Sequence, residues 1–402
     1  MSISRLGKTI ARAHREGRLA RAILNRVRHV GALAACTRYF VHNPAAGRVV
    51  IHCPSYVAPD PADGELVQRI FRAYRRMKED QKTVSEYYLP SSMWQQQLDT
   101  AYTSFSVALK EEDIAKFHFF LANFGAWPIY TGIESSTLIR DNVGSPLRRF
   151  YLQNYIFLSQ LRLWKWFHSG REPPLSRLTY PKHGNQSGAI INDCFVGPGS
   201  FFNEIYGSLL SNLVRGIDRP TVAELGGGYG KLAYFTLRDF PEFSFVDFDL
   251  PETVSIASYY LMKTFPDRKA LLYGEADYSQ SSHKDFDLIF MPAWVIDRVG
   301  AESFDLFTNK NSLGEMTASA VCNYISHIAR STKSYFFHMN HDSTRMIYDG
   351  GGSSLLGYEY PVPLDQFTLL IRYPDMGHMR SQNFIDFNSD IFIYIYGRTR
   401  RN

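Results

Sequence analysis

Residues 221–230, with the sequence TVAELGGGYG followed directly by KLAYFTL, decide the fold. The stretch begins with small and β-branched residues typical of a short strand, continues through Glu224 into four glycines, and then opens a helix. Glycines allow a sharp turn with positive φ and let a ligand approach main-chain N–H groups without meeting a Cβ atom. A strand, a glycine-rich turn and a helix in this order are typical of a nucleotide-type site in a doubly wound α/β sheet.

Two ligand fingerprints fit this turn. Residues 228–233, GYGKLA, fit the dinucleotide pattern G-x-G-x-x-G/A, which has low specificity by itself. The spacing Glu224-x-Gly226-x-Gly228-x-Gly230 is that of the first motif of class I S-adenosylmethionine (SAM) methyltransferases. Glu224 favours the second frame, because a carboxylate at the end of the first strand would repel a pyrophosphate but suits a ligand carrying an amine and a sulfonium. The turn therefore predicts SAM as the cofactor, and a glycine-rich turn without a ligand is the alternative.

Composition indicates an ordinary globular protein. The chain has 402 residues, of which 45% are hydrophobic and 21% charged, and it is long enough for two domains. No apolar run approaches the ~18 residues that span a bilayer. The four cysteines show no C-x-x-C or Cys/His spacing, which indicates free thiols rather than a disulfide framework or a zinc site. We therefore expect a cytoplasmic protein.

The net charge of +5 is concentrated in a basic arm over residues 1–40. Apolar residues at steps of three and four over residues 1–35 predict an amphipathic helix surrounded by arginines. Such a helix could hold the protein at an anionic membrane surface, at the inner membrane face, or pack on a partner or on its own protein. Its arginine content also resembles an organelle transit peptide. The rest of the chain is near neutral, so we expect no nucleic acid partner.

Two larger regions follow the arm. Residues 41–180 predict a mainly helical domain that serves acceptor binding, forms a lid or mediates dimerisation, so a homo-oligomer is an open expectation. Within it, residues 44–63 predict a linker, and helical spacing covers 65–80, 91–124 and 148–168. Residues 181–402 predict the SAM-binding domain, which begins with a Gly- and Pro-rich loop to about residue 200 and a helix at 201–214. Alternating strands and helices predict a mostly parallel, seven-stranded α/β sheet, with strands near 221–223, 243–249, 270–273, 286–291, 334–339, 367–372 and 391–396 and helices at 251–265 and 313–330.

Acidic residues follow two of these strands. In a doubly wound sheet, ligands bind at the carboxyl ends of the strands. Asp247 and Asp249 are both candidates to accept the two ribose hydroxyls, and Asp249 is favoured because it lies nearer the strand end. Asp277 could accept the exocyclic adenine amine, with Tyr278 as a stacking face. A ribose-binding acid about 20 residues after the glycines would serve NAD in the same way, so this feature alone does not exclude NAD.

The chain resembles the bacterial sugar O-methyltransferase family, a class I SAM-dependent group. The resemblance extends over roughly residues 90–400 and excludes the basic arm. Its main stretches are AELGGGYGKLAYF (223–235), DLPE (249–252) with the following helix ending in YYL (259–261), and NSLGEM (311–316). Weaker ones are SSMW (91–94), LANFG (121–125) and PKHGN (181–185). The chain departs from the family at residues 201–206, FFNEIY, where the family has an Arg or His followed by an aromatic residue.

The resemblance implies a Rossmann-like class I fold and methyl transfer from SAM to a hydroxyl of a sugar, polysaccharide or glycolipid acceptor. It implies that the methionine end of SAM is held by Glu224, Gly226, Gly228 and Gly230, the ribose by Asp249 and the adenine by Asp277. Asn311 is the candidate to orient the acceptor, and Asn185 in the PKHGN loop is a second candidate for substrate binding.

A general base is expected because a sugar hydroxyl is weakly acidic, and such a base typically contributes ~10²–10⁴-fold. His338 and His341, at the end of the fifth predicted strand, are candidates because neutral imidazole has a suitable pKa. Glu315 in NSLGEM is the other candidate. His338, His341 and Asp342 could instead be read as ligands of a divalent ion, but two histidines three residues apart on a loop are a weak metal pattern, and we assign no metal.

Two other functions fit the same sequence. A phenolic or other natural-product hydroxyl could be the acceptor, with the aromatic residues of the helical domain forming its pocket. A SAM-binding protein without turnover would keep Glu224, Asp249 and Asp277 as well.

Overall fold

The computed structural model describes residues 49–127, 157–279, 281–348, 352–375 and 390–399, together with the isolated residues 27, 139, 143, 144, 149, 153 and 377. Apart from Val27, the predicted basic arm lies outside these residues, and its membrane role stays a prediction. Among the helices within the described ranges, none is long and apolar enough to cross a membrane.

Helices dominate the described part of the N-terminal half. They follow the short strand β1 (Val49–His52) and are α1 (Gly64–Asp80), α2 (Ser92–Thr100), α3 (Thr103–Lys110), α4 (Ile114–Asn123) and α5 (Ser159–Phe167). Helix α1 buries Val67, Ile70 and Tyr74 at helical spacing, which explains its amphipathic sequence. Helix α4 begins at Asp113, whose carboxylate caps the Lys116 N–H at 2.8 Å. The helices predicted at 65–80 and 91–124 are therefore present, the second one as three shorter helices.

A small antiparallel sheet corrects two expectations. Strand β1 pairs with β2 (Gly188–Ile191), which pairs with β3 (Cys194–Val196). The sequence predicted a linker over residues 44–63 and a loop over residues 180–200. Both segments contain strands, because VVIH and GAII pair across a long sequence separation that the local density of Gly and Pro does not reveal.

The main sheet has eight strands in the order β10-β11-β9-β8-β4-β5-β7-β6. They are β4 (Thr221–Leu225), β5 (Ser244–Asp249), β6 (Ala270–Leu272), β7 (Leu288–Pro292), β8 (Phe304–Lys310), β9 (Thr332–His341), β10 (Phe367–Pro374) and β11 (Ile391–Arg398). The six strands from β9 to β6 run parallel, and β11 is antiparallel to both of its neighbours. The mostly parallel α/β sheet is confirmed, with one strand more than predicted.

The strand missing from the prediction is β8. Its second half, Thr308-Asn309-Lys310, is polar, so the sequence lacks the apolar run of a central strand. Thr308 and Asn309 are nevertheless buried, because their side chains donate to the main-chain oxygens of Ala223 at 3.1 Å and Leu225 at 2.8 Å on β4. These bonds satisfy the buried polar groups and place the carboxyl end of β8 beside that of β4.

Helices fill the connections, namely α6 (Ser200–Val214), α7 (Lys231–Leu237), α8 (Pro251–Thr264), α9 (Ser282–Asp285) and α10 (Ala318–Ser331). Helix α8 joins the sheet to the N-terminal helices. Tyr74 on α1 donates to Glu252 at 3.1 Å, and the buried Asp63 accepts from Tyr259 and Lys263, each at 2.7 Å. The apolar core runs continuously through both halves. The N-terminal helices are therefore fixed against the sheet, while the domain boundary at residue 180 stays a prediction.

Candidate active site

A cavity of about 520 Å³ opens at the carboxyl ends of β4, β5 and β8. Strand β4 has β5 on one side and β8 on the other. After β4 the chain adds β5, β6 and β7 on one side and then β8 to β11 on the other, so the direction of the connections reverses at β4. Such a switch point is where ligands bind in open α/β sheets. The cavity is lined by the glycine turn, by the segment 86–91 with Trp94, and by residues 310–312 and 315–317 after β8. Its volume is that of a site for one or two small molecules.

The glycine turn forms the floor of this cavity. Gly226, Gly228 and Gly230 have φ values of 72°, 63° and 86°, in the left-handed region. A Cβ atom on Gly226 would lie 2.2 Å from Ser312 Oγ, so the turn must be glycine where it passes the loop after β8. The Gly226 N–H donates to the Phe248 carbonyl at 2.8 Å, which fixes the turn to β5. The backbone is thereby held close to any ligand in the cavity.

Two predicted acids reach the cavity beside the turn. Asp249 accepts from the main-chain N–H groups of Gly228 at 3.1 Å and Leu250 at 2.7 Å. Burial raises the pKa of Asp249, and these hydrogen bonds oppose the rise. Burial also raises the pKa of Glu224 to about 7, opposed by the charge of Lys310 and aided by that of Asp249. These carboxyl groups suit a ligand that brings an ammonium group and a pair of hydroxyls.

Glu315 and Asn311 also line the cavity, on the turn that follows β8. Trp94 Nε1 donates to Glu315 Oε2 at 2.8 Å, across from the N-terminal half. Burial raises the pKa of Glu315 to about 7, with the Trp94 hydrogen bond lowering it and the Asp249 charge raising it. Asn311 adopts a φ of 67°, and its N–H donates to the Met339 carbonyl at 2.7 Å. Glu315 is the candidate base that the structure brings to the cavity.

Asp277 and Tyr278 lie outside the cavity wall, and their contact with adenine stays a prediction. Both follow β6, an edge strand two positions away from β5. The strand next to β5 is β7, and Ala293, directly after it, lines the cavity instead. Asp277 is exposed at the surface, and the Tyr278 hydroxyl is bonded to His283 Nε2 at 2.7 Å. In chain order β6 comes next after β5, whereas in the sheet β7 lies between them.

The two histidines are not in the cavity wall either. His338 and Met339 are neighbours on β9, so their side chains lie on opposite faces of the sheet, and the one that lines the cavity is Met339. The ring of His338 is buried and stacks on Tyr394 at 4.4 Å between centroids, and burial lowers the pKa of His338 to about 3. His341 Nδ1 is bonded to Asp390 Oδ2 at 2.7 Å. Neither placement fits a general base for a ligand in the cavity.

The other interpretation of this segment, a divalent metal site, would also use Asp342. Asp342 bonds Arg372 at 2.7 Å and accepts from Tyr394 at 2.7 Å. Across the described ranges, no group of three or more His, Cys, Asp or Glu side chains is arranged to hold a metal ion.

Asn185 is a structural residue. With a φ of 60°, it donates through Nδ2 to the Ser55 carbonyl at 2.7 Å and to Asn123 Oδ1 at 3.0 Å. It thereby fastens the PKHGN loop to the N-terminal half, outside the cavity wall. Its role in substrate binding stays a prediction.

Sequence reasoning missed three polar residues that line the cavity. Lys310 donates to Asn203 Oδ1 at 3.1 Å, which joins the end of β8 to helix α6. Lys231 is buried, with its ammonium group 4.5 Å above the ring of Tyr180 and hydrogen-bonded to the Pro198 carbonyl. Recognition of β8 as a strand would have identified Lys310, because it occupies the strand's carboxyl end. Asn203 lies in the stretch 201–206, where the chain departs from the sugar O-methyltransferase family, but that departure did not single it out.

Residues 212–312 match the family model of an O-methyltransferase domain. The match begins near the end of α6 and includes the glycine turn, Asp249 and Ser312. No curated protein matches the chain.

Solved methyltransferases are similar in part. Mitomycin 7-O-methyltransferase is 14% identical over 50% of this chain, with a TM-score of 0.30, and the chain spans 57% of that enzyme's length. Magnesium protoporphyrin IX methyltransferase from Synechocystis, solved with S-adenosylhomocysteine, is 11% identical over 63% of this chain and 98% of its own, with a TM-score of 0.34. The N-methyltransferase NodS from Bradyrhizobium japonicum is 12% identical over 50% of this chain and 88% of its own, with a TM-score of 0.32.

The residues of the cavity fit SAM. The glycine turn admits close contact, Glu224 can receive the ammonium group, and Asp249 can receive the ribose hydroxyls. The O-methyltransferase domain match covers these same residues. Together they identify S-adenosylmethionine as the cofactor of a methyltransferase domain built around β4 and β5.

Proposed function

We propose that this protein transfers the methyl group of SAM to a hydroxyl group of a saccharide acceptor, with Glu315 as the general base. The observation that carries the proposal is the position of Glu315. Its carboxyl group lies in the same cavity as the glycine turn, is held by Trp94 Nε1 at 2.8 Å, and has a pKa raised to about 7. A base with a pKa near the working pH is the most effective in general catalysis.

The protein contributes little covalent chemistry to this reaction. SAM supplies a methyl group on a sulfonium, which leaves as a neutral thioether. The acceptor oxygen forms the new bond to the methyl carbon as the carbon–sulfur bond breaks, and Glu315 takes the hydroxyl proton. The cavity's main contribution is to align the acceptor, since orientation of two reactants can supply roughly 7–11 kcal/mol of the barrier. We assign Asn311, which lies on the same turn as Glu315, to hold the acceptor.

The cavity wall supports a polyhydroxyl acceptor. Polar side chains that can bond to hydroxyl groups, such as Lys310 and Asn311, share the wall with the aromatic residues Trp94 and Phe202. The resemblance to sugar O-methyltransferases at NSLGEM and DLPE supports the same acceptor class. A phenolic acceptor would use the aromatic side chains and make less use of the amides.

The test is methyl transfer from SAM to a panel of free sugars, oligosaccharides, glycolipids and phenols, read as S-adenosylhomocysteine by mass spectrometry. Glu315→Gln, which keeps an acceptor for Trp94 Nε1, should lower turnover by ~10²–10⁴-fold and leave cofactor affinity unchanged. Glu242→Gln, at an exposed glutamate outside the cavity wall, is the matched control and should have no effect.

The outcomes separate the three functions. Turnover of sugars that is lost in Glu315→Gln supports the proposal, whereas full activity in that variant removes Glu315 as the base. Turnover of phenols alone would replace the saccharide with a natural-product acceptor. Cofactor binding without turnover on the whole panel would indicate a SAM-binding protein that is not an enzyme.

A further inference from the structure

Asp247 is a buried acid that the proposed reaction does not use. It pairs in register with Glu224 on the neighbouring parallel strand, so both side chains leave the same face of the sheet. A Cβ atom placed on Gly227 would lie 3.0 Å from Asp247 Oδ1 and 3.0 Å from Glu224 Oε2. The two oxygens are therefore within about 6 Å of each other, the range in which like charges strongly disfavour ionisation. Only 1% of Asp247 and 2% of Glu224 is exposed.

Among the described charges that act on this group, acids outnumber cations. Asp249 is the third carboxyl group, and Lys310 at the end of β8 is the cation that acts on Glu224. Glu252 on α8 adds a further negative charge beside Asp249. Burial, Asp249 and Glu224 together raise the pKa of Asp247 well above its usual range, and the nearby Gly227 N–H opposes this. Neither Asp247 oxygen accepts a hydrogen bond of good geometry from a described residue.

We propose that Asp247 stays protonated and donates its O–H to Glu224, and so positions an ionised Glu224 beneath the ammonium group of SAM. The pair then carries one negative charge, which matches one ammonium group. Asp247 lies outside the cavity wall, whereas Glu224 is part of it, so Asp247 acts through Glu224. The inference rests on SAM being the cofactor and is independent of the acceptor.

Three substitutions together distinguish a protonated Asp247 from a charged one. Asp247→Asn keeps the shape and a hydrogen-bond donor but has no charge, so it should imitate the protonated acid. Its affinity for S-adenosylhomocysteine should stay within about twofold of that of the unsubstituted protein. Asp247→Leu removes the donor, and Glu224→Gln removes the charge, so each should weaken binding by about tenfold or more, because hydrogen bonds to charged groups are strong.

The experiment is isothermal titration of the full chain and the three variants with S-adenosylhomocysteine between pH 6 and pH 9. In the unsubstituted protein and in Asp247→Asn alike, affinity should rise with pH through about 7, as Glu224 loses its proton. Infrared spectra at pH 8 supply a second readout that needs no stable leucine variant. The C=O band of a protonated carboxyl group should be present in the unsubstituted protein and absent in Asp247→Asn.

Asp247→Asn that binds as weakly as Glu224→Gln would overturn the inference, because Asp247 would then carry a charge that the ligand senses. A missing protonated-carboxyl band would overturn it as well. If the unsubstituted protein binds no S-adenosylhomocysteine, the assignment of SAM as the cofactor fails. That failure is distinct from failure of the Asp247 inference, because it is seen in the unsubstituted protein before any variants are compared.

Discussion

Replacing Gly226 by alanine is expected to destabilise the protein by about 2–5 kcal/mol, from two causes that can be separated. The first is conformational, because Gly226 has a φ of 72° and a Cβ atom in the left-handed region costs about 1–2 kcal/mol. The second is steric, because the new Cβ would lie 2.2 Å from Ser312 Oγ and 2.3 Å from Ser312 Cβ. Overpacking of this kind costs about 1–3 kcal/mol.

Ser312 cannot simply rotate away from the new methyl group. Its hydroxyl donates to the Leu225 carbonyl at 3.0 Å and accepts from Asn309 Nδ2. Ser312→Gly removes both the obstacle and these hydrogen bonds, so it costs stability on its own. A double-mutant cycle isolates the clash, and the double variant should be more stable than the sum of the two changes by about 1–3 kcal/mol.

The assay is equilibrium unfolding in urea followed by circular dichroism. Gly216→Ala is the matched control, because a Cβ atom there meets nothing within 4 Å and the residue has no positive φ. It should change stability by no more than about 0.5 kcal/mol. If Gly226→Ala and Gly216→Ala unfold alike, or if the cycle shows no coupling, the described geometry of the turn is refuted.

Three further predictions concern the site. Trp94→Phe removes a hydrogen-bond donor that lowers the pKa of Glu315, so this pKa should rise above 7. The acidic limb of the profile of kcat/KM against pH should therefore move up by about one pH unit. An unmoved profile would show that Glu315 is not the base. Asp277→Asn should leave the affinity for S-adenosylhomocysteine unchanged in calorimetry, and a tenfold loss would restore the adenine contact. His338→Phe should keep turnover within about twofold, because His338 lies away from the cavity wall. It should raise the free energy of unfolding by about 1 kcal/mol, because neither ring nitrogen of His338 has a hydrogen-bond partner among the described residues. Loss of turnover in a folded variant would contradict the placement of His338 away from the cavity.

The cofactor half of the site was predictable because its determinants are local in sequence. Spaced glycines between a strand and a helix dictate a turn with positive φ, and the acid that ends the next strand must lie beside it. Glu224 and Asp249 are therefore where the sequence placed them. Glu315 was a candidate because it lies in NSLGEM, since the strand that it follows, β8, was not predicted.

The placements that the sequence did not predict depend on long-range pairing. Asp277 follows the third strand in the chain, but the sheet inserts β7 between that strand and β5, and no local pattern specifies this order. His338 was misplaced because neighbouring side chains on β9 point to opposite faces of the sheet. The sequence does not show which of these faces borders the cavity. Strand β8 was not predicted because its buried polar residues are satisfied by partners that are distant in sequence, including the main chain of β4.

The most direct test of SAM as the cofactor is calorimetric titration of the purified chain with S-adenosylhomocysteine and, in parallel, with NAD. We predict micromolar binding of S-adenosylhomocysteine and no binding of NAD. The binding of S-adenosylhomocysteine should be lost in Asp249→Ala. Binding of NAD in its place would contradict the assignment of Glu224 as the residue that selects a cationic ligand at the glycine turn.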